Sequence, residues 1–342
     1  MTIPPEAVLK ELSELLPDLP GEVQSLLSQI PAGTVTTYGD LARALGDERA
    51  RSARWLGDYL SNHAHTESCP CHRVVRSNGE IGLSVLGDPL LKAKRLRAEG
   101  ISVSDTGKVD FTQRWTDFHS SRPLECLRQF QVQLAARVKS SPLQKSPRTL
   151  GGIDAAYTSD GHVIAAYVEL DADSLEVCSE HGLIRPVSFP YIPGYLTFRE
   201  LPAMLELCLQ IRDHQGLADV IFCDGNGQLH PWRAGIATCL GVALDHPMIG
   251  IGKSLLCGRV QPEQISDRSL AVKADDENIA AAVGHENSTK RVYASVGHRI
   301  TLSEAVQLTE QSQGKRVLPV PIQLADRLSK RLKRPDEKGR FH

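Results

Sequence analysis

The apolar pattern of this chain weakens from about Ser102 to Ser121, returns as an amphipathic helix through Leu124 to Val138 and then turns strand-like, and that break near residue 120 is the strongest constraint on what it can fold into. Before it, Pro5 to Leu16, Glu22 to Ile30, Leu41 to Leu45 and Ala50 to Leu60 repeat apolar residues at helical spacing. Turns are expected at Pro31-Ala32-Gly33 and at Gly46-Asp47-Glu48. A third helix is predicted to start at Thr37 or Tyr38. It meets the next across a polar turn, an arrangement compatible with a helix-turn-helix. After the break, Leu150 to Tyr157, Val163 to Leu170 and Leu175 to His181 read as strands, the first two joined by Ser159-Asp160-Gly161. Helix 198–214, strand Asp219 to Asp224, helix Gly235 to Leu244 and strand Met248 to Lys253 then alternate as in a βαβ unit.

A length of 342 residues suits two domains. The prediction is a mostly α-helical, winged-helix or helix-turn-helix-like domain over 1–101, a linker over 102–123, an α/β domain with a mixed sheet over 124–328, and a basic tail over 329–342. Hydrophobic residues at 41% and charged residues at 23% exclude a disordered chain. Lys plus Arg at 39 against Asp plus Glu at 41 leaves a net charge of −2, so any nucleic-acid surface must be local. Lys and Arg gather between Arg327 and Arg340, where a solvated tail and a phosphate-contacting arm are the two readings. Eight scattered cysteines, several inside apolar runs such as Val220 to Asp224, point to reduced thiols and a cytoplasmic setting. No apolar run approaches the roughly 18 residues of a membrane span, and no secretion signal opens the chain, so neither membrane insertion nor export is expected.

Asp154 lies inside the apolar strand Gly152-Ile153-Asp154-Ala155-Ala156-Tyr157, where an unpaired carboxylate is costly. Asp224 ends the apolar strand Val220-Ile221-Phe222-Cys223-Asp224, the place where open α/β sheets present ligands. If the strands are neighbours the two carboxylates converge, which a hard cation such as Mg²⁺ would stabilise. Glu200, early in a helix, would hold a water on that cation, which suits a phosphodiester substrate. A turn hydrogen bond at Asp154 and a helix cap at Glu200 account for the same spacing equally well.

Serial motifs then narrow the choice. Pro190-Tyr191-Ile192-Pro193-Gly194-Tyr195-Leu196-Thr197-Phe198-Arg199-Glu200, Asp224-Gly225-Asn226-Gly227 with His230-Pro231, Gly250-Ile251-Gly252-Lys253 and Val296-Gly297-His298-Arg299 resemble the motifs of endonuclease V, over roughly residues 125 to 328. The resemblance implies a ribonuclease H-like fold and a Mg²⁺-dependent nick at the second phosphodiester 3′ to a deaminated base, chiefly hypoxanthine. It implies Asp154, Asp224 and Glu200 as the acidic set, His298 beside the scissile phosphate and Lys253 neutralising charge there. Pro190, Tyr191, Ile192 and Pro193 would form a strand-separating wedge, with Tyr191 replacing the stacking lost when a base rotates out. Asn226 stands where the family commonly has His.

In the first domain, Pro70-Cys71-His72-Arg73-Val74-Val75 places a thiol next to an imidazole. A thiolate activated by His72, with Glu99 taking the proton onward, would attack an alkyl carbon. Cys71 as a small buried core residue is the other reading. A lone Cys69-Pro70-Cys71 without a second pair at ligand spacing does not establish a metal site. With Thr36-Thr37-Tyr38-Gly39-Asp40-Leu41-Ala42 and Arg54-Trp55-Leu56-Gly57, this motif resembles the DNA-binding domain of O6-alkylguanine-DNA alkyltransferases, over about residues 20 to 101. By that resemblance Cys71 accepts the alkyl group, His72 and Glu99 assist it, Tyr38 rotates the phosphate, and Arg54 is the finger that replaces the flipped guanine. The family's loop-tying Asn appears as His63, and its guanine-recognising Tyr-Ser pair as Ser84-Val85. The compact build also resembles alkyltransferase-like proteins, which sense damage without repairing it. The expected whole is a DNA-repair fusion acting on damaged DNA, with no protein partner evident. Its alternatives are a first domain that only binds damage and a nuclease that prefers inosine in RNA.

Overall fold

The computed structural model describes residues 4–66, 68–82 and 89–333. Contacts divide the chain into two compact units, one of residues 15–129 with 190–195, the other of residues 1–14, 130–189 and 196–342.

In chain order the first elements are α1 (Pro5–Leu15), α2 (Leu19–Ser28), β1 (Thr36–Thr37), α3 (Tyr38–Ala44), α4 (Ala53–Asn62), β2 (Val74–Val75) and α5 (Pro89–Ala98). Local chemistry sets the helix starts. Asp18 accepts from the Gly21 amide ahead of α2, and Thr37 and Asp40 cap α3 reciprocally. β1 pairs in parallel with β2, Thr36 opposite Val74. Val35, Val75, Ile81, Ala93, Leu96, Ile101 and Val109 form a core of this unit.

Two parts of the N-terminal half differ from the pattern-based expectation. The stretch 102–123, expected as a linker, is built into the helical unit through bridges pairing Val103 with Val109, Glu80 with Lys108 and Val35 with Arg114. Its polar residues hid single apolar anchors such as Val109, too sparse to show a period. Helix α1 groups instead with the α/β unit, where Arg212 donates to Glu6 at 2.6 Å. An amphipathic stripe shows that a helix must be buried, not against which core.

The α/β unit continues with α6 (Pro123–Ala135, which begins in the helical unit), β3 (Thr149–Tyr157), β4 (His162–Asp171), β5 (Val177–Pro186), α7 (Leu196–His214), β6 (Val220–Asp224), α8 (Ile236–Leu244), β7 (Met248–Gly252), β8 (Arg259–Ser266), β9 (Ser269–Ala274), β10 (Glu277–His285), β11 (Ser288–His298), α9 (Leu302–Gln311) and α10 (Val320–Lys333). Among the described residues, nine strands form one mixed sheet, ordered β5-β4-β3-β6-β7-β11-β10-β9-β8. β3, β6 and β7 are parallel neighbours at the centre, and the flanks are antiparallel. β6, Val-Ile-Phe-Cys-Asp, is apolar on both faces because helices cover the parallel part.

The expected basic tail from residue 329 starts inside α10. Ile322, Ala325 and Leu328 are buried at helical spacing and Ser329 with them, while Lys330, Arg331 and Lys333 occupy the last turn. The basic residues masked the apolar stripe. Residues 334–342 lie outside the described part. Helix α10 lies against β3 and β4 because β3 has no side chain at Gly152: a Cβ there would run into the carbonyl of Pro321. Among the described residues, no helix is long and apolar enough to cross a membrane.

Gly152→Ala should therefore push α10 off the sheet and destabilise the protein by about 1–3 kcal/mol. Gly57→Ala, in α4 with open space around it, should be neutral or stabilising. Thermal denaturation of the two variants checks the contrast.

Candidate functional site

The parallel register of the central strands builds the acidic centre. Ile153 of β3 lies opposite Cys223 of β6, so Asp154 and Asp224 follow at the same level on adjacent strands. Asp154 is 7% exposed. Burial, then the charge of Asp224, push its carboxyl up to about 7, against the Ser329 hydroxyl that donates to Asp154 Oδ2 at 2.7 Å. Lys253, just past β7, donates to Asp224 Oδ2 at 2.5 Å.

Glu200 faces the same charge from α7. It is 7% exposed, and burial raises its carboxyl to about 7. The Tyr157 hydroxyl, donating to Glu200 Oε1 at 2.7 Å, works against that rise, and the charge of Asp224 adds to it. Arg199 stacks 4.4 Å over the Tyr157 ring. Asp224 thus acts electrostatically on both Asp154 and Glu200. Burial disfavours the charge of Lys253, but Asp224, Asp154 and Asp326 together outweigh it and raise the lysine's pKa. Oxygen donors, two of them buried and both repelled by the third, that are only partly neutralised fit a hard divalent cation.

Three participants were not legible beforehand: Tyr157, and Asp326 and Ser329 on α10. The apolar spacing at 322, 325 and 328 was the signal that would have revealed α10.

His298 is not brought to this cluster. It pairs with Met248 at the start of β7, whereas Asp224 pairs with Ile251 near its end, a separation of about 10 Å along the strands. Its Nε2 lies 2.9 Å from Asp245 Oδ1, and its Nδ1 accepts from the Lys139 amide. Asp245 also receives two hydrogen bonds from Arg299, so Val-Gly-His-Arg anchors the end of α8 to β11. In the wedge motif, Tyr195 donates its amide to the Ile192 carbonyl around Gly194, whose φ is +88°. Ile192 and Tyr195 are buried, and Tyr191 projects at 62% exposure.

In the helical unit a 3₁₀ turn, Pro70–Arg73, carries Cys71 and His72. His72 Nε2 lies 2.8 Å from Glu99 Oε1. Burial alone would raise Glu99, but hydrogen bonds from Arg73, His72 and the Gly33 amide prevail and hold it at about 2. The outer half of the expected relay is formed. The thiol of Cys71, however, contacts His65 Nδ1 at 3.5 Å, and His72 Nδ1 faces the Cys69 carbonyl at 3.4 Å. Burial and the neighbouring Cys69 thiol push Cys71 up to about 12, against the pull of Lys92 and Arg95. Lys92, buried and donating to the Val74 carbonyl, is itself lowered by burial to about 8.

Tyr38 opens α3 within reach of the charges of Arg76 and Cys71, and burial raises its pKa. Arg54 is exposed at the start of α4. His63 ends α4, its Nδ1 2.9 Å from the Leu60 carbonyl and its Nε2 3.3 Å from Cys69 Sγ. Ser84 and Val85 lie outside the described residues.

Known proteins match both units. The pattern described as Endonuclease V spans residues 132–327, and that described as 6-O-methylguanine DNA methyltransferase, DNA binding domain, spans residues 19–101. The chain belongs to the endonuclease V family. It is 34% identical over 310 residues to a bifunctional methyltransferase/endonuclease of Picrophilus torridus, covering 90% of this chain and 94% of the other. The crystal structure of the catalytic domain of human endonuclease V superposes with a TM-score of 0.57 at 29% identity, covering 62% of this chain and 96% of that one. Ciona intestinalis endonuclease V, in complex with a 24mer DNA containing an inosine followed by a ribo-adenosine, does so with a TM-score of 0.53 at 25% identity, covering 59% and 94%. The protein is thus an endonuclease V fused to an alkyltransferase-type DNA-binding domain, an endonuclease whose family uses a divalent metal.

Asp40 centres one of the ion clusters of the helical unit. Burial favours a neutral Asp40, but hydrogen bonds from Arg114, Thr37 and Arg43 prevail and hold its carboxyl at about 2. A folded-state pKa below the unfolded value of about 3.9 gives stability that is complete above that pH and lost as pH falls toward 2. Asp40→Asn should cost about 2 kcal/mol at neutral pH and flatten the acid limb between roughly pH 4 and 2. Urea unfolding across that range measures both.

Proposed function

We propose that this endonuclease V nicks DNA at the second phosphodiester 3′ to deoxyinosine with Mg²⁺ as its metal, and that its DNA-binding domain handles O6-alkylguanine. The observation that carries the nuclease reading is the placement of Asp154 and Asp224 side by side on adjacent parallel strands, with Glu200 of α7 feeling the charge of Asp224, a set that would offer hard oxygen ligands. When bound, the ion screens phosphoryl charge and lowers the pKa of water. The chain's residues do the rest. Ser329 and Tyr157 fix the carboxylate orientations, Lys253 offers its charge to a phosphate oxygen, and Tyr191 supplies an aromatic face for the base stack. Asp326 adds a further acidic group near Lys253. The Ciona relative bound to inosine-containing DNA supports this substrate class. Free, unpaired cysteines at all eight positions suit a reducing cytoplasm.

A deoxyinosine oligonucleotide incubated with Mg²⁺ should be cut at the second phosphodiester, and chelation should stop it. Asp224→Asn should abolish cutting with the far-UV circular dichroism unchanged, and full activity in that variant would overturn the assignment. Ser329→Ala and Tyr157→Phe, which orient ligands without being ligands, should lose roughly 10- to 100-fold. An inosine RNA of the same sequence, run alongside, tests the alternative substrate.

For the alkyltransferase-type domain, Cys71 Sγ attacks the alkyl carbon. The new S–C bond forms as the C–O6 bond breaks, and guanine leaves with the bonding electrons and takes up a proton. A thiol pushed up to about 12 favours a second reading, damage binding without transfer. After exposure to O6-methylguanine DNA, a gain of one methyl group by intact mass, absent in Cys71→Ser, supports transfer. Tight binding with no mass gain leaves recognition alone.

A further inference from the structure

Four side chains outside the nuclease centre gather their donor atoms into one small volume. The ligand-type atoms of His63, His65, Cys69 and Cys71 all lie within 4.8 Å of one another. His63 Nε2 is 3.3 Å from Cys69 Sγ, and His65 Nδ1 is 3.5 Å from Cys71 Sγ. A tetrahedral zinc ion with bonds of about 2.0–2.1 Å to nitrogen and 2.3 Å to sulfur has donor-to-donor edges of about 3.3–3.8 Å. Both measured nitrogen–sulfur contacts fall in that range. The spacing is His-x-His-x₃-Cys-x-Cys, so two imidazoles complete the Cys-x-Cys that alone was too little.

A second, independent feature points the same way. His63 Nδ1 lies 2.9 Å from the Leu60 carbonyl, which can only accept. The proton therefore sits on Nδ1, and the Nε2 lone pair is aimed at the thiol cluster. Outer hydrogen bonds of this kind commonly orient metal-binding histidines. His63 is 7% exposed, held where the end of α4 meets the Cys69–Cys71 turn.

We propose that His63, His65, Cys69 and Cys71 form a Cys₂His₂ site for one Zn²⁺, and that Cys71 is one of its ligands. The donor set is soft and borderline, unlike the all-oxygen set of the nuclease centre, so the two units select different ions. Binding releases the two thiol protons and gives an electrically neutral site. His65 then carries its ring proton on Nε2, and Arg95 gives up its present 3.3 Å contact with that nitrogen. The site ties the turn bearing Cys71 to the end of α4, and alkylation of Cys71 would cost it one of its two thiolates.

The full-length protein, reduced and stripped of metal, is titrated with Co²⁺ and then Zn²⁺. Expected are the visible bands of tetrahedral Co²⁺ with a thiolate-to-cobalt charge-transfer band, saturating at one equivalent and displaced by Zn²⁺. A carboxylate site cannot produce that charge-transfer band. Cys69→Ser and His65→Gln should weaken Zn²⁺ binding roughly 10-fold or more, with deoxyinosine nicking unchanged. Should either variant fail to fold, X-ray absorption of the Zn²⁺-loaded wild type decides, with two sulfur scatterers near 2.3 Å and two nitrogens near 2.0–2.1 Å expected. Absence of the charge-transfer band, or zinc surrounded by oxygen and nitrogen alone, overturns the proposal.

Discussion

The nuclease unit depends on one pairing, β3 running parallel to β6 with Asp154 and Asp224 side by side. Two adjacent carboxylates, Asp154 buried and Asp224 partly so, repel, and Glu200 feels the charge of Asp224 from α7. A fold selected for stability alone would replace such a group with apolar residues at little cost or with a gain. Pushing Asp154 and Glu200 up to about 7 is the metal-free protein's way of tolerating the arrangement. The repulsion is relieved by a cation with a high charge density and oxygen affinity, so the same burial that raises the carboxyls favours the ion.

Helix α10 turns that strand pairing into a positioned site. The bare backbone of Gly152 lets the helix approach β3, and the approach brings Ser329 to Asp154 and Asp326 toward Lys253. The helix therefore does two jobs with one face. Ile322, Ala325 and Leu328 cover the sheet, and the polar residues between and beyond them reach the carboxylates.

Much of this was legible in residue order and some was not, for identifiable reasons. Strand alternation and the βαβ rhythm gave β3, β4, β6 and β7, because regular elements bury one face or both. The carboxylate pair followed once those strands were taken as neighbours. His298 shows the limit of a motif, since its place in a signature string does not reveal its strand register, and register sets it at the far end of β7 with Asp245. The stretch 102–123 and α10 were hidden by composition: polar and basic residues outnumber the few apolar anchors that decide where each segment packs. His63 and His65 lie only six and four residues before Cys69, but the spacing does not show that the segment folds them back onto the thiols.

The cost of burying ionisable groups is met in two opposite ways, and each unit contains both. Around Glu99 and Asp40, arginine forks supply enough charge-assisted hydrogen bonds to hold the carboxyls at about 2, and the result is rigid scaffolding. Around Asp154 and Glu200, and around Cys71, the neighbouring cations fall short and the groups are pushed up instead. Groups left in that state gain most from a ligand that restores their charge, whereas those already paired gain nothing. Unmet charge therefore separates the functional clusters from the structural ones, and the donor atoms, oxygen in one unit and sulfur with nitrogen in the other, then select the ion.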